Sequence, residues 1–272
     1  MNKHYFHHQL VDLHYYIYGS GPQVMLCFHG YGMHGRQFAC FEELFGKEYT
    51  LYSFDLFFHE GTKLQDDSLT HLEKGMEKSQ LIGIMKDFCK SHSIQQFSIL
   101  SYSIGTACAG VLIESNQFSI ETVVFMAPAF LKIPKTLSYL GQPGWRNRRF
   151  RQFLYSEYAI LFSLRLAKAF GYFNAESYPI IKKELGNFQL RHMFYATVTF
   201  LRKLKPDIAQ LISALNHHKI NVIMVYGKYD HHFPAHIGKQ FEAKVNNVIN
   251  LIVDRGHDMV DVELSKQIRK LI

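Results

Sequence analysis

Ser103 lies in the stretch of the chain that is best arranged for chemistry. A β-prone apolar run over residues 97–101 enters a turn, and small and aliphatic residues follow over 106–113. This order predicts a strand, a sharp turn and a helix. Such a turn exposes the hydroxyl of its central serine at a strained backbone angle, so the residues two before and two after it must be small; here they are Ser101 and Gly105. Ser103 is therefore a candidate nucleophile, and the alternative is that it caps a buried helix.

The turn resembles the nucleophile elbow of the α/β-hydrolase family, which is usually written Gly-x-Ser-x-Gly. Ser103 stands at the nucleophile position, and Ser101 replaces the first glycine of the pattern. A hydroxymethyl group there tightens the turn without forbidding it. The resemblance implies an α/β fold and a hydrolase that works through Ser103.

A second part of the resemblance is the sequence His-Gly-Tyr-Gly at residues 29–32, directly after the apolar run 23–28. In the family, the loop at this place carries a His-Gly pair, and one of its amides helps to form the oxyanion hole. The resemblance implies that the N–H groups of Tyr31 and Ile104 are the two donors. The residues expected to border the substrate are His29, Gly30 and Tyr102. We expect His29 to be a structural hydrogen-bonding residue rather than a catalytic one.

Two late loops complete the family pattern. Asp230 follows the apolar strand predicted over 220–226, where the family places its acid, and His257 follows the strand predicted over 248–253, where the family places its histidine. All three residues then lie at the carboxyl edge of the sheet, where open α/β folds bind ligands. In such a set the imidazole takes the serine proton, and the carboxylate fixes the imidazole tautomer and stabilises the imidazolium.

Other interpretations of these loops are less favoured. Asp230 could cap a turn, and His257 could be one of sixteen histidines that lie mostly on the surface. Asp254 and Asp258 flank His257 too closely in sequence to be its expected partner. The three histidines within residues 231–236 lack the carboxylate or cysteine partners of a metal site, so we expect no metal and no cofactor.

The loop after the strand predicted over 50–54 departs from the family. The family often has Asp-x-x-Gly-x-Gly-x-Ser there, whereas residues 55–62 are Asp-Leu-Phe-Phe-His-Glu-Gly-Thr. Because most of the glycine-rich turn is gone, we expect Asp55 and His59 to anchor the loop. Phe57 and Phe58 could reach toward the mouth of a pocket.

The remaining pattern predicts a mostly parallel central sheet of about eight strands flanked by helices, because short runs that are apolar throughout are typical of strands buried on both faces. An edge hairpin covers residues 4–18, and a further strand covers 122–126. The helices predicted by apolar spacing cover residues 37–45, 69–92, 206–215 and 259–271.

Residues 131–205 lose the alternation of strands and helices. An aromatic-rich helix is predicted over 150–170, and shorter helices over 178–185 and 190–204. Prolines and glycines border the segment on both sides, which suits an insertion. We expect residues 1–130 and 206–272 to form an α/β-hydrolase core and residues 131–205 to form a helical cap, or lid, inserted after the sixth strand.

The positive charge of the chain is local. The net charge is +7, and residues 131–205 hold fourteen Lys and Arg against three acidic residues, so this segment carries 14 − 3 = +11 and the rest 7 − 11 = −4. The plainer expectation is a solvated positive face over an aromatic interior. The alternative is that Arg146, Arg148, Arg149 and Arg151 steer an anionic substrate or an acidic surface. No nucleic-acid motif accompanies the charge, so we expect no nucleic-acid partner.

The cysteines and the N-terminus indicate a compartment. Four cysteines lie far apart without a CxxC pair, so we expect reduced, mostly buried thiols. No apolar signal core follows Lys3, and no run approaches the roughly 18 apolar residues of a membrane helix. The sequence predicts a cytoplasmic protein without integral membrane association, and it leaves the oligomeric state open.

These observations predict a serine hydrolase that cleaves a carboxylic ester of a small to medium substrate through an acyl-enzyme. A thioester, or a carbon–carbon bond next to a ketone, stays open as the substrate because the same groups serve all three. A serine at the elbow, rather than an aspartate, argues against haloalkane dehalogenation. A binding protein that kept the fold and lost turnover is a further alternative, favoured by Ser101 and the altered Asp55 loop. The acyl group and the leaving group stay open.

Overall fold

A computed structural model describes residues 3–171 and 177–272. The chain divides into two compact units. The first, which we call the sheet unit, comprises Met1–Asp66, Glu77–Ile133 and Leu204–Ile272. The second, the helical unit, comprises Asp67–Met76 and Pro134–Lys203. Glu176, one of the acidic residues counted in the predicted cap, lies outside the described residues. That residues 131–205 act as a lid stays a prediction.

The described residues of the sheet unit form nine strands. They are β1 His4–His8, β2 Val11–Tyr18, β3 Gln23–Phe28, β4 Tyr49–Phe54, β5 Lys63–Leu64, β6 Gln96–Tyr102, β7 Ser119–Met126, β8 Asn221–Gly227 and β9 Val248–Val253. Their order is β1-β2-β4-β3-β6-β7-β8-β9, with β5 paired to β2. Along this order, every neighbouring pair from β4 through β3, β6, β7 and β8 to β9 is parallel. The three pairs that β2 makes, with β1, β4 and β5, are antiparallel. The predicted mostly parallel sheet is confirmed. The strand before the helical segment is the seventh rather than the sixth, because β5 has only two residues and leaves no strand pattern in the sequence.

The described residues form twelve α-helices. In chain order they are α1 Glu42–Phe45, α2 Leu69–Lys74, α3 Lys78–Ser91, α4 Gly105–Glu114, α5 Lys135–Leu140, α6 Trp145–Tyr155, α7 Glu157–Ala169, α8 Ser177–Gly186, α9 Phe188–Phe200, α10 Ile208–His217, α11 Lys239–Glu242 and α12 Val262–Arg269. A 3-10 helix over Gly35–Phe41 precedes α1 where the sequence predicts one α-helix.

The central strands are buried on both faces, as their continuous apolar sequences require. Alternate residues such as Met25 and Cys27 of β3 belong to one core cluster with Phe41, Phe45 and Ile268. The 3-10 helix, α1 and α12, which contact one another, supply those last three side chains. A second layer is formed by α3, α4 and α10, of which α4 contacts β3, β6 and β7. The sheet is therefore covered by helices on each face.

The long helix predicted over 69–92 is wrong. The chain forms α2 and α3 instead, and Gly75 between them has φ +75°, a left-handed value that ends α2. A capping box, in which the side chains of Glu77 and Gln80 each bond the other's backbone, then starts α3. The apolar spacing continues through the break, so periodicity alone could not show it.

The helix predicted over 150–170 is also interrupted. Ser156 has an extended backbone, with φ −86° and ψ 104°, and separates α6 from α7. Its hydroxyl accepts a hydrogen bond of 3.2 Å from the N–H of Ala159, which makes it the N-cap of α7. The predicted aromatic interior is right only in part, because Phe150 and Tyr195 join the core of the helical unit while Tyr158, Phe162 and Phe170 are exposed.

Arg191, in the helical unit, is a buried cation. Its Nε donates to the carbonyl of Leu154 and its Nη1 to the carbonyl of Leu185, both at 2.6 Å. These carbonyls lie near the C-termini of α6 and α8, where intrahelical donors are lacking and a cation is favoured. One side chain on α9 therefore holds the ends of two other helices.

We predict that Arg191→Met lowers the free energy of unfolding by about 2–4 kcal/mol, because it leaves one buried and one partly buried carbonyl without a charged donor. The matched control is Arg148→Met on α6, whose side chain is exposed, and it should change stability by less than about 0.5 kcal/mol. Chemical denaturation followed by circular dichroism measures both. Equal stability of the two variants would contradict the capping role of Arg191.

Candidate active site

Ser103 lies in the turn between β6 and α4 and has φ +50°, in the left-handed region that non-glycine residues rarely adopt. Its N–H donates to the carbonyl of Met126 at 2.9 Å, which holds this conformation against the end of β7. The residue is 6% exposed. The N-cap residue of α4 is Ile104, and no side chain caps this helix, so the interpretation of Ser103 as a helix cap is wrong.

The residues that flank the turn show why it needs small side chains. A Cβ atom at Gly105 would lie 2.2 Å from the carbonyl oxygen of Phe28, closer than nonbonded atoms can approach. Ser101, which departs from the family pattern, is fully buried, and its hydroxyl donates to the carbonyl of Val124 at 2.9 Å. The extra hydroxymethyl group is thus satisfied by the neighbouring strand β7.

Asp230 and His257 form a direct pair. His257 Nδ1 donates to Asp230 Oδ2 at 2.8 Å, and the other carboxylate oxygen accepts from the N–H groups of His232 at 2.8 Å and Phe233 at 3.1 Å. Burial alone would raise the pKa of Asp230, but these hydrogen bonds outweigh it and hold the pKa below its ordinary value. The carboxylate is therefore ionised near neutral pH, and it fixes the imidazole with its proton on Nδ1.

The loop of His257 is tied to the turn of Ser103 through Tyr102. The buried Tyr102 hydroxyl donates to the His257 carbonyl at 2.6 Å, and the two rings lie 5.3 Å apart. The residue adjacent to Ser103 thus sets the position of the histidine. Tyr102 is predicted to border the substrate, and its hydroxyl donates its proton to this loop. The ring of Phe233 covers the imidazole from 5.5 Å.

His29 lies beneath the loop that is predicted to hold an oxyanion donor. It is fully buried; its Nδ1 donates to the carbonyl of Gly30 at 2.7 Å, and its Nε2 accepts from the N–H of Leu56 at 2.9 Å. Burial lowers the pKa of His29 well below its ordinary value, so the ring stays neutral. Both ring nitrogens are engaged by main chain, which leaves neither for a substrate.

His59 supports the same loop from the other side. Its Nε2 accepts from the N–H of Gly32 at 3.1 Å, and its Nδ1 donates to the carbonyl of Phe57 at 2.9 Å. Burial lowers the pKa of His59 as well, and the ring packs edge-on against that of Tyr31 at 5.7 Å. Gly32 has φ +73°, a conformation suited to glycine. The backbone on each side of Tyr31 is therefore fixed by a neutral imidazole.

The loop also lies against the turn of Ser103. A Cβ atom at Gly30 would lie 3.3 Å from the Cβ of Ser103 and 2.7 Å from the ring of Tyr102, so only glycine allows this approach. The N–H of Ile104 lies at the N-terminus of α4 and has no acceptor within residues 3–171 and 177–272. Helix N-termini favour negative charge. This amide is available to a substrate oxygen.

Asp55 anchors the loop after β4, which confirms the expectation for Asp55. The fully buried carboxylate accepts from the N–H of Gly35 at 2.7 Å and from that of Gly61 at 3.1 Å, and it lies 2.5 Å from His14 Nδ1. It thus links the 3-10 helix to the loop of residues 55–62. Phe57, which could have reached a pocket mouth, is buried.

The competing candidates are placed elsewhere. Asp254 is exposed, and its Oδ1 accepts from Lys228 Nζ at 3.3 Å. No group of three or more metal-binding side chains occurs among the residues that the structure describes. The four cysteines are unpaired, and burial raises the pKa of Cys108, on α4, to about 12, so it is a protonated thiol rather than a nucleophile.

Thr106 is a further residue of the turn, and the Gly-x-Ser-x-Gly pattern does not include it. Its hydroxyl donates to the carbonyl of Ser103 at 2.5 Å and accepts from the N–H of Ala129 at 3.0 Å. It thereby joins the turn to the chain after β7. The signal was present, since a threonine in the first turn of a helix can bond the carbonyl three residues back.

The strand–turn–helix around Ser103, the Asp230–His257 pair and the parallel sheet together define an α/β-hydrolase architecture. The family model described as alpha/beta hydrolase fold matches residues 23–264. The chain therefore belongs to the α/β-hydrolase fold family. This membership supports an enzyme of the hydrolase class. No curated protein matches the chain in sequence.

Solved structures show the same fold at low sequence identity. MGS-M2, an alpha/beta hydrolase enzyme from a Medee basin deep-sea metagenome library, has a TM-score of 0.70 at 15% identity and covers 98% of this chain and 95% of its own. A thermophilic esterase from Thermogutta terrifontis has a TM-score of 0.70 at 12% identity over 100% and 98% of the two chains. Carboxylesterase CesB from Bacillus subtilis has a TM-score of 0.63 at 13% identity over 99% and 89%.

Among the described helices, none is both long and apolar enough to cross a lipid bilayer.

We predict that Gly105→Ala lowers the free energy of unfolding by about 2–4 kcal/mol, because the added methyl group forces β3 and the turn apart. The matched control is Gly83→Ala in α3, where an added Cβ would meet nothing within 4 Å. That change should be neutral or stabilise the protein by up to about 1 kcal/mol, since alanine favours helix. Denaturant unfolding compares the two, and a tolerated Gly105→Ala would contradict the close approach.

Proposed function

We propose that the protein is a serine hydrolase that cleaves a carboxylic ester of a small to medium substrate through an acyl-enzyme. The observation that carries the proposal is the hydrogen bond of 2.8 Å between His257 Nδ1 and Asp230 Oδ2. It matters because Tyr102 ties the loop of His257 to the turn that holds Ser103. The proposed nucleophile, acid and base thus follow β6, β8 and β9, three parallel strands that end at the same edge of the sheet.

In the proposed reaction, Ser103 Oγ attacks the carbonyl carbon of the ester while His257 Nε2 takes the hydroxyl proton. The tetrahedral intermediate collapses to an acyl-enzyme, and His257 returns the proton to the leaving alcohol. Water then attacks the acyl-enzyme through the same steps and releases the carboxylic acid. Asp230 keeps the imidazole oriented and stabilises its cation; the lowered pKa of Asp230 supports this role because the carboxylate must stay charged.

The proposed oxyanion donors are the N–H groups of Tyr31 and Ile104. The position of Ile104 at the N-terminus of α4 supports its assignment, since the helix end adds partial positive charge where the oxyanion develops. Tyr31 lies between two residues whose main chain is fixed by His29 and His59. We assign Gly30 to the substrate border, because its missing side chain leaves backbone beside Ser103.

Two alternatives make different claims about the same residues. A thioester or a carbon–carbon bond next to a ketone would use the same nucleophile and base. A binding protein would keep the fold without turnover. A screen of p-nitrophenyl esters of graded chain length alongside acyl thioesters separates the substrate classes. The absence of turnover in every class would favour the binding protein.

The four unpaired thiols support a cytoplasmic location, where cysteines stay reduced.

We predict that a fluorophosphonate probe labels the wild-type protein and leaves Ser103→Ala unlabelled, because the probe needs the activated hydroxyl. Asp230→Asn should lower kcat for an ester by about 10⁴-fold, as tautomer control is lost. The matched controls are Asp254→Asn and Asp258→Asn, which should lower kcat far less. Labelling that persists in Ser103→Ala, or a larger loss in either control, would reject the assigned roles.

We predict that His59→Phe lowers kcat by about 10- to 100-fold, because the N–H of Gly32 loses its acceptor and the neighbouring amide of Tyr31 leaves its position. KM should change by less than about threefold, since the loop acts on the transition state. Phenylalanine keeps the ring that packs on Tyr31. His236→Phe, at an exposed histidine, is the control. A wild-type kcat in His59→Phe would exclude this positioning role.

A further inference from the structure

Helix α7 is apolar on two opposite sides. Ile160 and Leu164 face the core of the helical unit and are buried there. Tyr158, Phe162 and Leu166 of α7, together with Phe170, the C-cap residue of that helix, are 79%, 54%, 48% and 72% exposed, and we call these four residues the α7 stripe. Because these residues are spaced by four, they lie along one side of the helix. The stripe is about 18 Å long at the helical rise of about 1.5 Å per residue.

This arrangement is unusual for a helix in water. A helix that is apolar all round is normally buried, and large exposed apolar patches mark interaction surfaces. The rings of Tyr158 and Phe162 stack on each other at 6.2 Å with an angle of 14° between their planes. Such stacking shields the rings only partly from solvent, so most of their surface is available to a partner.

The charge around the α7 stripe indicates the chemistry of that partner. Arg165 is exposed on α7 next to the stripe. Lys168 is also exposed, with its Nζ 4.4 Å from the centre of the Tyr178 ring, and Glu157 is the acidic residue of the helix. Trp145 and Phe153 add exposed rings on α6, with Arg148 and Arg149 among them. The whole segment of residues 131–205 carries a net charge of +11. That total includes the buried Arg191. Along α6 and α7, exposed aromatic side chains thus lie between exposed cations in the sequence.

We propose that the α7 stripe binds the surface of a bilayer that contains anionic phospholipids, with α7 lying in the plane of the interface. The composition fits that environment, because aromatic rings enter the boundary between headgroups and acyl chains while arginine and lysine reach the headgroup phosphates. Basic residues near an anionic leaflet add electrostatic attraction. An acidic protein surface would pair with the cations but would leave the exposed rings against polar groups.

Flotation of the full chain with lipid vesicles tests the proposal. The wild-type protein should float with vesicles of phosphatidylcholine and phosphatidylglycerol and remain unbound with phosphatidylcholine alone. Raising the salt concentration tenfold should weaken binding by about fivefold or more, because the charges are exposed and therefore screened. Phe162→Gln/Phe170→Gln should lower binding by about tenfold or more, since the rings lose their apolar insertion.

The charge variant Arg165→Gln/Lys168→Gln should lower binding to anionic vesicles by about fivefold, which tests the electrostatic part. Ile249→Gln/Ile252→Gln is the matched control, because these β9 residues are also exposed, at 45% and 60%, and belong to the sheet unit. It should bind as the wild type does. Circular dichroism checks that each variant keeps its helical content.

Four results would overturn the proposal. The first is a wild-type chain that fails to float with anionic vesicles, and the second is wild-type flotation of Phe162→Gln/Phe170→Gln. The third is a wild-type dimer that becomes a monomer in the same variant while neither binds vesicles, as measured by light scattering. That outcome would assign the α7 stripe to contact between two copies. Retention on polyglutamate without flotation would assign the surface to an acidic protein.

Discussion

The close approach of two backbone segments is the constraint on which the candidate site depends. The turn of Ser103 lies so near the end of β3 that Gly105 has no room for a side chain against the Phe28 carbonyl. This contact brings a positive-φ serine, the N-terminus of α4 and the loop after β3 to one point. The strain at Ser103 persists because the Met126 carbonyl and the Thr106 hydroxyl bond its backbone. A larger residue at position 105 would separate all of these parts together.

Three histidines near this point have different roles because their surroundings differ. His29 and His59 are buried without a carboxylate partner in contact, their pKa values are lowered, and both rings serve as neutral connectors between main-chain groups. His257 is instead partly exposed and donates to a buried carboxylate. Protonation of His29 or His59 would break the hydrogen bond that its Nε2 accepts, whereas His257 donates its Nδ1 proton to a carboxylate.

In the helical unit a charged side chain is buried and large apolar side chains are exposed, which is the reverse of their usual placement. Arg191 is buried, where two helix C-termini supply carbonyls that compensate for its desolvation. Large apolar side chains of α7 are exposed. The first arrangement follows from helix ends that need donors. The second leaves large apolar side chains exposed even though Tyr158 stacks on Phe162, and large exposed apolar patches mark interaction surfaces.

The sequence by itself determined the features that depend on local spacing. The parallel sheet, the turn of Ser103 and the positions of Asp230 and His257 after late strands follow from apolar runs and short motifs, because each is encoded within about ten residues. Tertiary structure decided the rest. Tyr102 bonds His257 from 155 positions away, and Asp55 bonds Gly35 from 20 positions away. Local periodicity predicts neither the end of α2 at Gly75 nor which side of α7 is exposed, because the apolar spacing continues through the first and occurs on both sides of the second. Which apolar side of a helix is covered depends on neighbours that the chain supplies only when folded.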